Sequence, residues 1–163
     1  MLDIVAACAD LERRRAWVEA LDRPRVVISA AGELWLPIVW TARGPLYGEV
    51  ISRDQQGKYQ QPFHLKDYDR QPLYRLAQNM LSDLHAPPAV YLLQFDLVSS
   101  VVDSTLEFTP NQVGKDHHKI GFDRLIPFPA EPAIASIDVQ QPNLFECHWR
   151  CLTNQPIYDL IIK

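Results

Sequence analysis

The chain has 163 residues, 47% of them hydrophobic, and a formal net charge of −4, which suits one domain with a true core. The acidic balance offers no electrostatic footprint for nucleic acid, and no apolar run is long enough to span a bilayer. Three cysteines do not make a disulfide framework, and the start Met1-Leu-Asp-Ile-Val lacks the basic region of a secretion signal, so a cytoplasmic protein is expected.

In chain order, Asp3 suits the cap of a helix with Ile4, Cys8, Leu11, Val18 and Leu21 on roughly one side, closed by Pro24. Arg13, Arg14 and Arg15 point three ways from such a helix, which reads as a solvated face rather than one anion site. Cys8 has no neighbour in sequence that would lower its pKa, and is expected in the core.

Arg25 to Leu65 reads as an antiparallel meander. Arg25 to Ser29 forms a short β-branched strand, and Leu34 to Thr41 alternates with both faces largely apolar, as an interior strand does. Pro37 cannot donate to a ladder and marks a bulge or an edge there. Leu46 to Asp54 follows as one strand, Gln55-Gln-Gly-Lys58 turns it, and Tyr59 to Leu65, with Pro62, is expected at an edge. Trp35 and Trp40, with Tyr47 and Tyr59, suit sheet packing or the walls of a ligand pocket. Gly44 and Gly57 lack the strand, Gly-rich loop and helix context of a phosphate cradle.

Pro72 to Leu84 is the clearest helix. Leu73, Leu76, Ala77, Met80, Leu81 and Leu84 make one apolar stripe, with Pro72 in its first turn and Pro87-Pro88 ending it. The strand Ala89 to Val98 comes next. Its odd positions are apolar from 89 to 97, whereas from 102 to 108 the apolar side is even. A turn or bulge near Ser99-Ser100 is therefore required. A two-residue hairpin there would set Asp96 opposite Asp103, a repulsion calling for a bound cation, a raised pKa or another register.

Pro110 to Gly121 reads as a polar loop carrying Asp116, His117 and His118, groups suited to a divalent metal or to acid–base work. Asp96, Asp103, His117 and His118 are the candidate metal ligands. Phe122 to Pro132 is extended and proline-punctuated, with Leu125 and Phe128 available to a partner. Ala133 to Val139 alternates as a strand, and so do Phe145, Cys147, Trp149 and Cys151. At strand pitch Cys147 and Cys151 lie about 13 Å apart, too far to share one zinc ion or a disulfide, so both are expected as core thiols. The apolar end, Ile157 to Lys163, must pack on the domain or on another subunit.

The expected architecture is a single α+β domain over residues 1–163: a curved antiparallel sheet of about seven strands with two main helices. A half-open β-barrel is the alternative. The absence of a nucleophile–base pair, a phosphate loop or a complete metal set favours a non-catalytic binding or assembly module. Such a module would use an apolar surface, with Trp35, Trp40, Leu125 and Phe128 as binding residues and another protein or a second copy as partner. The alternatives are a small-ligand pocket protein and a divalent-metal-assisted hydrolase using Asp96, Asp103 and the Asp116-His117-His118 loop. No cofactor is evident beyond that metal, and neither nucleic acid nor membrane is an expected partner.

Overall fold

The computed structural model describes residues 3–21, 25–99 and 118–163. Seven strands among these residues form the main sheet: β1 (Val26–Ile28), β2 (Leu34–Thr41), β3 (Gly44–Tyr47), β4 (Val50–Arg53), β5 (Tyr59–Phe63), β6 (Ala89–Ser99) and β7 (His118–Ile126). They lie in the order β1-β7-β6-β2-β4-β5, with β3 paired to the second half of β2. Among these described strands, only the β1–β7 pairing is parallel. The sheet stays open, which sets the barrel alternative aside.

Each face buries its own core. Tyr91, Leu93 and Phe95 of β6 pack with Leu36 and Ile38 of β2 against α1 (Ile4–Ala9), α2 (Leu11–Glu19) and α3 (Asp67–Asp83). Val90 and Leu92 pack with Trp35, Val39 and Ile51 against α4 (Leu144–Leu152) and a 3₁₀ helix, Glu131–Ser136. The alternation expected for 89–97 is therefore real, and both sides of the strand are covered. A two-stranded sheet, β8 (Gln140–Gln141) with β9 (Ile161–Ile162), ties down the C-terminal segment.

The strand β2 accommodates Pro37 without loss. The Pro37 carbonyl accepts from the Gly48 N–H at 2.9 Å, so its ring nitrogen faces the same side, where β3 gives way to β4. The ladder to β6 lies on the other side and is intact. The single strand expected from Leu46 to Asp54 is thereby split in two. β5, with Pro62, closes the order as an edge strand, as its proline requires.

The helix α3 begins at Asp67, more than a turn before Pro72, so Pro72 is interior. An interior proline leaves the carbonyl four residues earlier without its helical donor. Here that carbonyl belongs to Tyr68, and the Arg25 guanidinium donates to it at 2.9 Å. The same guanidinium pairs with Asp69 at 2.7 Å and lies 3.6 Å from the Tyr68 ring centroid. The N-terminal helix is also divided: Asp10 ends α1 and caps α2, its carboxylate accepting from Glu12 and Arg13 N–H groups.

The antiparallel meander expected from Arg25 to Leu65 loses its first strand, since β1 pairs in parallel with β7, and three further segments differ from expectation. β7 begins at His118 and lies between β1 and β6, so residues 118–126 are an interior strand rather than a loop end and a partner-facing strip. Ala133 to Ser136 belongs to the 3₁₀ helix, where the Ser136 hydroxyl donates to Ala133 O and accepts from Leu144 N–H. Residues 144–152 form a helix because Asn143 caps it and Leu144, Cys147 and Cys151 share one side. Over nine residues, periods of 2 and 3.6 fit such a pattern almost equally well.

Candidate functional site

β1 and β2 are consecutive in sequence, yet β7 and β6 lie between them. Residues 29–33 must therefore cross both strands, and a crossing segment has no ladder to satisfy its backbone. Side chains do it instead. The Asp123 carboxylate accepts from the Gly32 N–H at 3.3 Å, and the Gln94 amide donates to the Gly32 carbonyl at 2.7 Å. A Cβ on Gly32 would stand 2.9 Å from the Phe95 carbonyl oxygen, and one on Gly121 would stand 2.7 Å from Ser29 Cβ. Gly32 demands glycine because the β6 backbone passes so close, and Gly121 because the Ser29 side chain packs directly on it.

Asp123 owes its place to a bulge. Gln94 pairs with Arg124 and Phe95 with Phe122, which leaves Asp123 as the extra residue on β7. It is 3% exposed. Arg14 of α2 compensates its charge from 4.0 Å, while Arg124 donates to it at 3.4 Å. Arg14 also donates to Ser29 O at 3.3 Å and sits over the Phe122 ring. Its neighbours form surface pairs, Arg13 with Asp10 and Asp83, Arg15 with Glu12. The three arginines do diverge, and the middle one turns inward.

Above this clasp the sheet offers a polar patch. Gln94 and Asp96 continue the side of β6 that carries Val90 and Leu92, and Arg124 stands directly across from Gln94. Asp96 is partly exposed, its Oδ1 accepting from Leu97 N–H at 2.8 Å. Among the described residues no cation pairs with it. A carboxylate, an amide and an exposed arginine thus leave the sheet from one face, a set of groups that can meet a phosphate group and a cation travelling with it.

The residues singled out from sequence are dispersed. Asp96 stands across from Gly121, and His118 across from Ser99, so the two lie on opposite sides of the ladder. Asp103, Asp116 and His117 lie outside the described residues, as does the hairpin expected at Ser99-Ser100. No group of three or more metal-ligating side chains occurs among the described residues. Trp35 is buried edge-on to Tyr59 on the α4 side. Trp40 is on the other side, donating to Ala86 O at 3.1 Å. Leu125 is buried and Phe128 exposed, and both border a cleft of about 370 Å³ with Val5, Cys8, Arg14 and Arg124.

The cysteines are not activated. Burial pushes Cys8 up to about 11 and Cys147 up to about 12, so neither is an appreciable thiolate at neutral pH. His148 is shifted down by burial, and its Nδ1 accepts from Val90 N–H at 3.1 Å, which requires the neutral ring.

No protein-family model matches the chain, and no curated protein does either. Solved structures do. The N5-carboxyaminoimidazole ribonucleotide synthetase of Thermotoga maritima is 14% identical, with a TM-score of 0.59 over 83% of this chain and 32% of its own. The Staphylococcus aureus N5-carboxyaminoimidazole synthetase complexed with ADP is 12% identical, with a TM-score of 0.57 over 83% of this chain and 33% of its own. The carboxyaminoimidazole ribonucleotide synthase of Aspergillus clavatus complexed with ATP is 14% identical, with a TM-score of 0.57 over 81% of this chain and 31% of its own. The shared fold is of the ATP-grasp type, and this chain spans about a third of each neighbour's length. No helix among the described residues is long and apolar enough to cross a membrane.

The comparison corrects the functional expectation. The neighbours named above are a synthetase without a stated nucleotide, one complexed with ADP and a synthase complexed with ATP, rather than non-catalytic assembly modules, metal-assisted hydrolases or stand-alone pocket proteins. In the sequence Arg14 reads as part of a solvated helix face, and Asp123 and Arg124 carry no local sign of a site. Gln94 leaves one sign, a polar residue inside the most apolar strand of the chain.

Proposed function

We propose that this chain is the sheet domain of an ATP-using synthetase in the cytoplasm, and that its Gln94, Asp96 and Arg124 surface meets the phosphates of a nucleotide. One observation carries the reading: the fold matches, over about four-fifths of this chain, synthetases solved with ADP and ATP. A resident metal held by three protein ligands does not fit the described residues, and the oxygens of Asp123 are already engaged. A magnesium ion that arrives on the nucleotide is different. It keeps several waters and needs only one or two carboxylates, a part that Asp96 can fill. Arg124 would offset phosphate charge, and the clasp beneath would hold the surface rigid. The second substrate would be held by polypeptide beyond the matched third.

Calorimetric titration and thermal melting with ADP and with ATP, each with and without magnesium, test this. Millimolar nucleotide should raise the melting temperature, as any ligand selective for the folded state does. The rise should shrink in Asp96→Asn and in Arg124→Ala. Absence of heat and of any melting shift with either nucleotide would sink the proposal.

A further inference from the structure

We infer that α4 is a self-complementary interface through which two copies of this chain pair antiparallel. The inference is independent of the nucleotide reading. α4 turns Leu144, Cys147 and Cys151 toward the sheet, and it carries a second apolar stripe. Phe145, Trp149 and Leu152 are 38%, 62% and 61% exposed. At 3.6 residues per turn they fall within about 60° of one another around the helix axis. A helix apolar on two sides normally has two partners, and among the described residues only one, the sheet together with the 3₁₀ helix, packs on α4.

The charges beside the stripe identify the second partner. Glu146 and Arg150 flank it on one side, joined by a hydrogen-bonded ion pair and each about one-third exposed. The opposite flank is His148, which is turned to the sheet and bonded to Val90. A two-fold axis that crosses two antiparallel helices at right angles brings the same flank of each together. If the stripe is centred on that axis, a rise of 1.5 Å per residue places Glu146 within roughly 2 Å, along the axis, of Arg150 on the other copy. Two reciprocal charge pairs would then border a seam whose centre is a pair of Trp149 rings. Aromatic and arginine side chains are those enriched in such contacts. A parallel pairing would set Glu146 and Arg150 against the His148 flank and leave them unmatched.

Sedimentation or light scattering of the full chain, from about 5 to about 200 μM, tests the interface. The mass should rise to that of a dimer across this range. Trp149→Glu should weaken association at least tenfold while leaving the melting temperature at high dilution near that of the wild type. Glu146→Arg should also dissociate the dimer, and Glu146→Arg combined with Arg150→Glu should restore it. A wild-type chain that stays monomeric throughout overturns the inference, as does a Trp149→Glu chain that still dimerises. Failure of the double reversal to restore pairing overturns the antiparallel geometry.

Discussion

The helices α3 and α4 lie on opposite sides of one sheet and differ in what they show to the outside. α3 buries Leu73, Leu76, Ala77, Met80 and Leu81, and its outward positions Arg75, Gln78, Asn79, Ser82 and Asp83 are all exposed and polar. α4 buries Leu144 and Cys147 and exposes Phe145, Trp149 and Leu152. One helix is finished by the monomer. The other keeps a second apolar stripe in water, and covering that stripe would release hydrophobic free energy that the monomer leaves unused.

The largest effect should come from the finished helix. Leu76 is completely buried at the centre of α3, and Leu76→Ala should cost about 2–5 kcal/mol in denaturant melts, the range for core truncations that leave a cavity. A loss below about 0.5 kcal/mol would mean that the stripe does not face a packed core.

A smaller effect should distinguish α4 by pH. The folded-state pKa of His148 is lowered, so the unfolded chain binds its proton more readily than the folded one. Stability from this group is fully present above the unfolded value of about 6.5 and declines as pH falls below it toward the folded pKa. The decline should be small, because the ring is only partly buried and water screens its charge. His148→Asn keeps an acceptor near the Nδ1 position without a titrating ring. Its stability should therefore fall less than that of the wild type between neutral pH and pH 5. Parallel pH curves for the two proteins would refute the assignment.

The smallest effect belongs to the outer stripe. At concentrations low enough to keep the chain monomeric, Trp149→Ala should change folding stability by no more than about 0.5 kcal/mol, as an exposed substitution does. A loss above about 1.5 kcal/mol would place the indole within the monomer's own packing, and the contrast between the helices would disappear.

Long periodic segments are legible in the amino-acid sequence. The α3 stripe spans several turns, so a period of 3.6 has no rival there, and β6 is marked by the most apolar run of the chain directly after Pro87-Pro88. Short segments are not legible in this way. Residues 144–152 fit a strand as well as a helix, and the cap at Asn143 decides between them. β7 is hidden because Gly121, Asp123 and Arg124 interrupt its apolar positions, and its strand conformation comes from β1 and β6 on either side. The candidate site shares that fate. Asp123 is more than a hundred residues from Arg14 and 91 from Gly32 in sequence, and no local pattern connects them.

Local periodicity, with proline and cap chemistry, is thus enough to set an α+β fold on one sheet, its central helix and strand, the edge position of β5, and the buried Cys8 and Cys147. Tertiary structure alone accounts for the β1–β7–β6–β2 order, the crossing at Gly32, the inward turn of Arg14 and the capture of the Tyr68 carbonyl by Arg25. Each of these depends on pairing partners far apart along the chain. Such pairings are selected by the free energy of the assembled sheet, where buried polar groups must find partners, and not by the conformational preference of any segment alone.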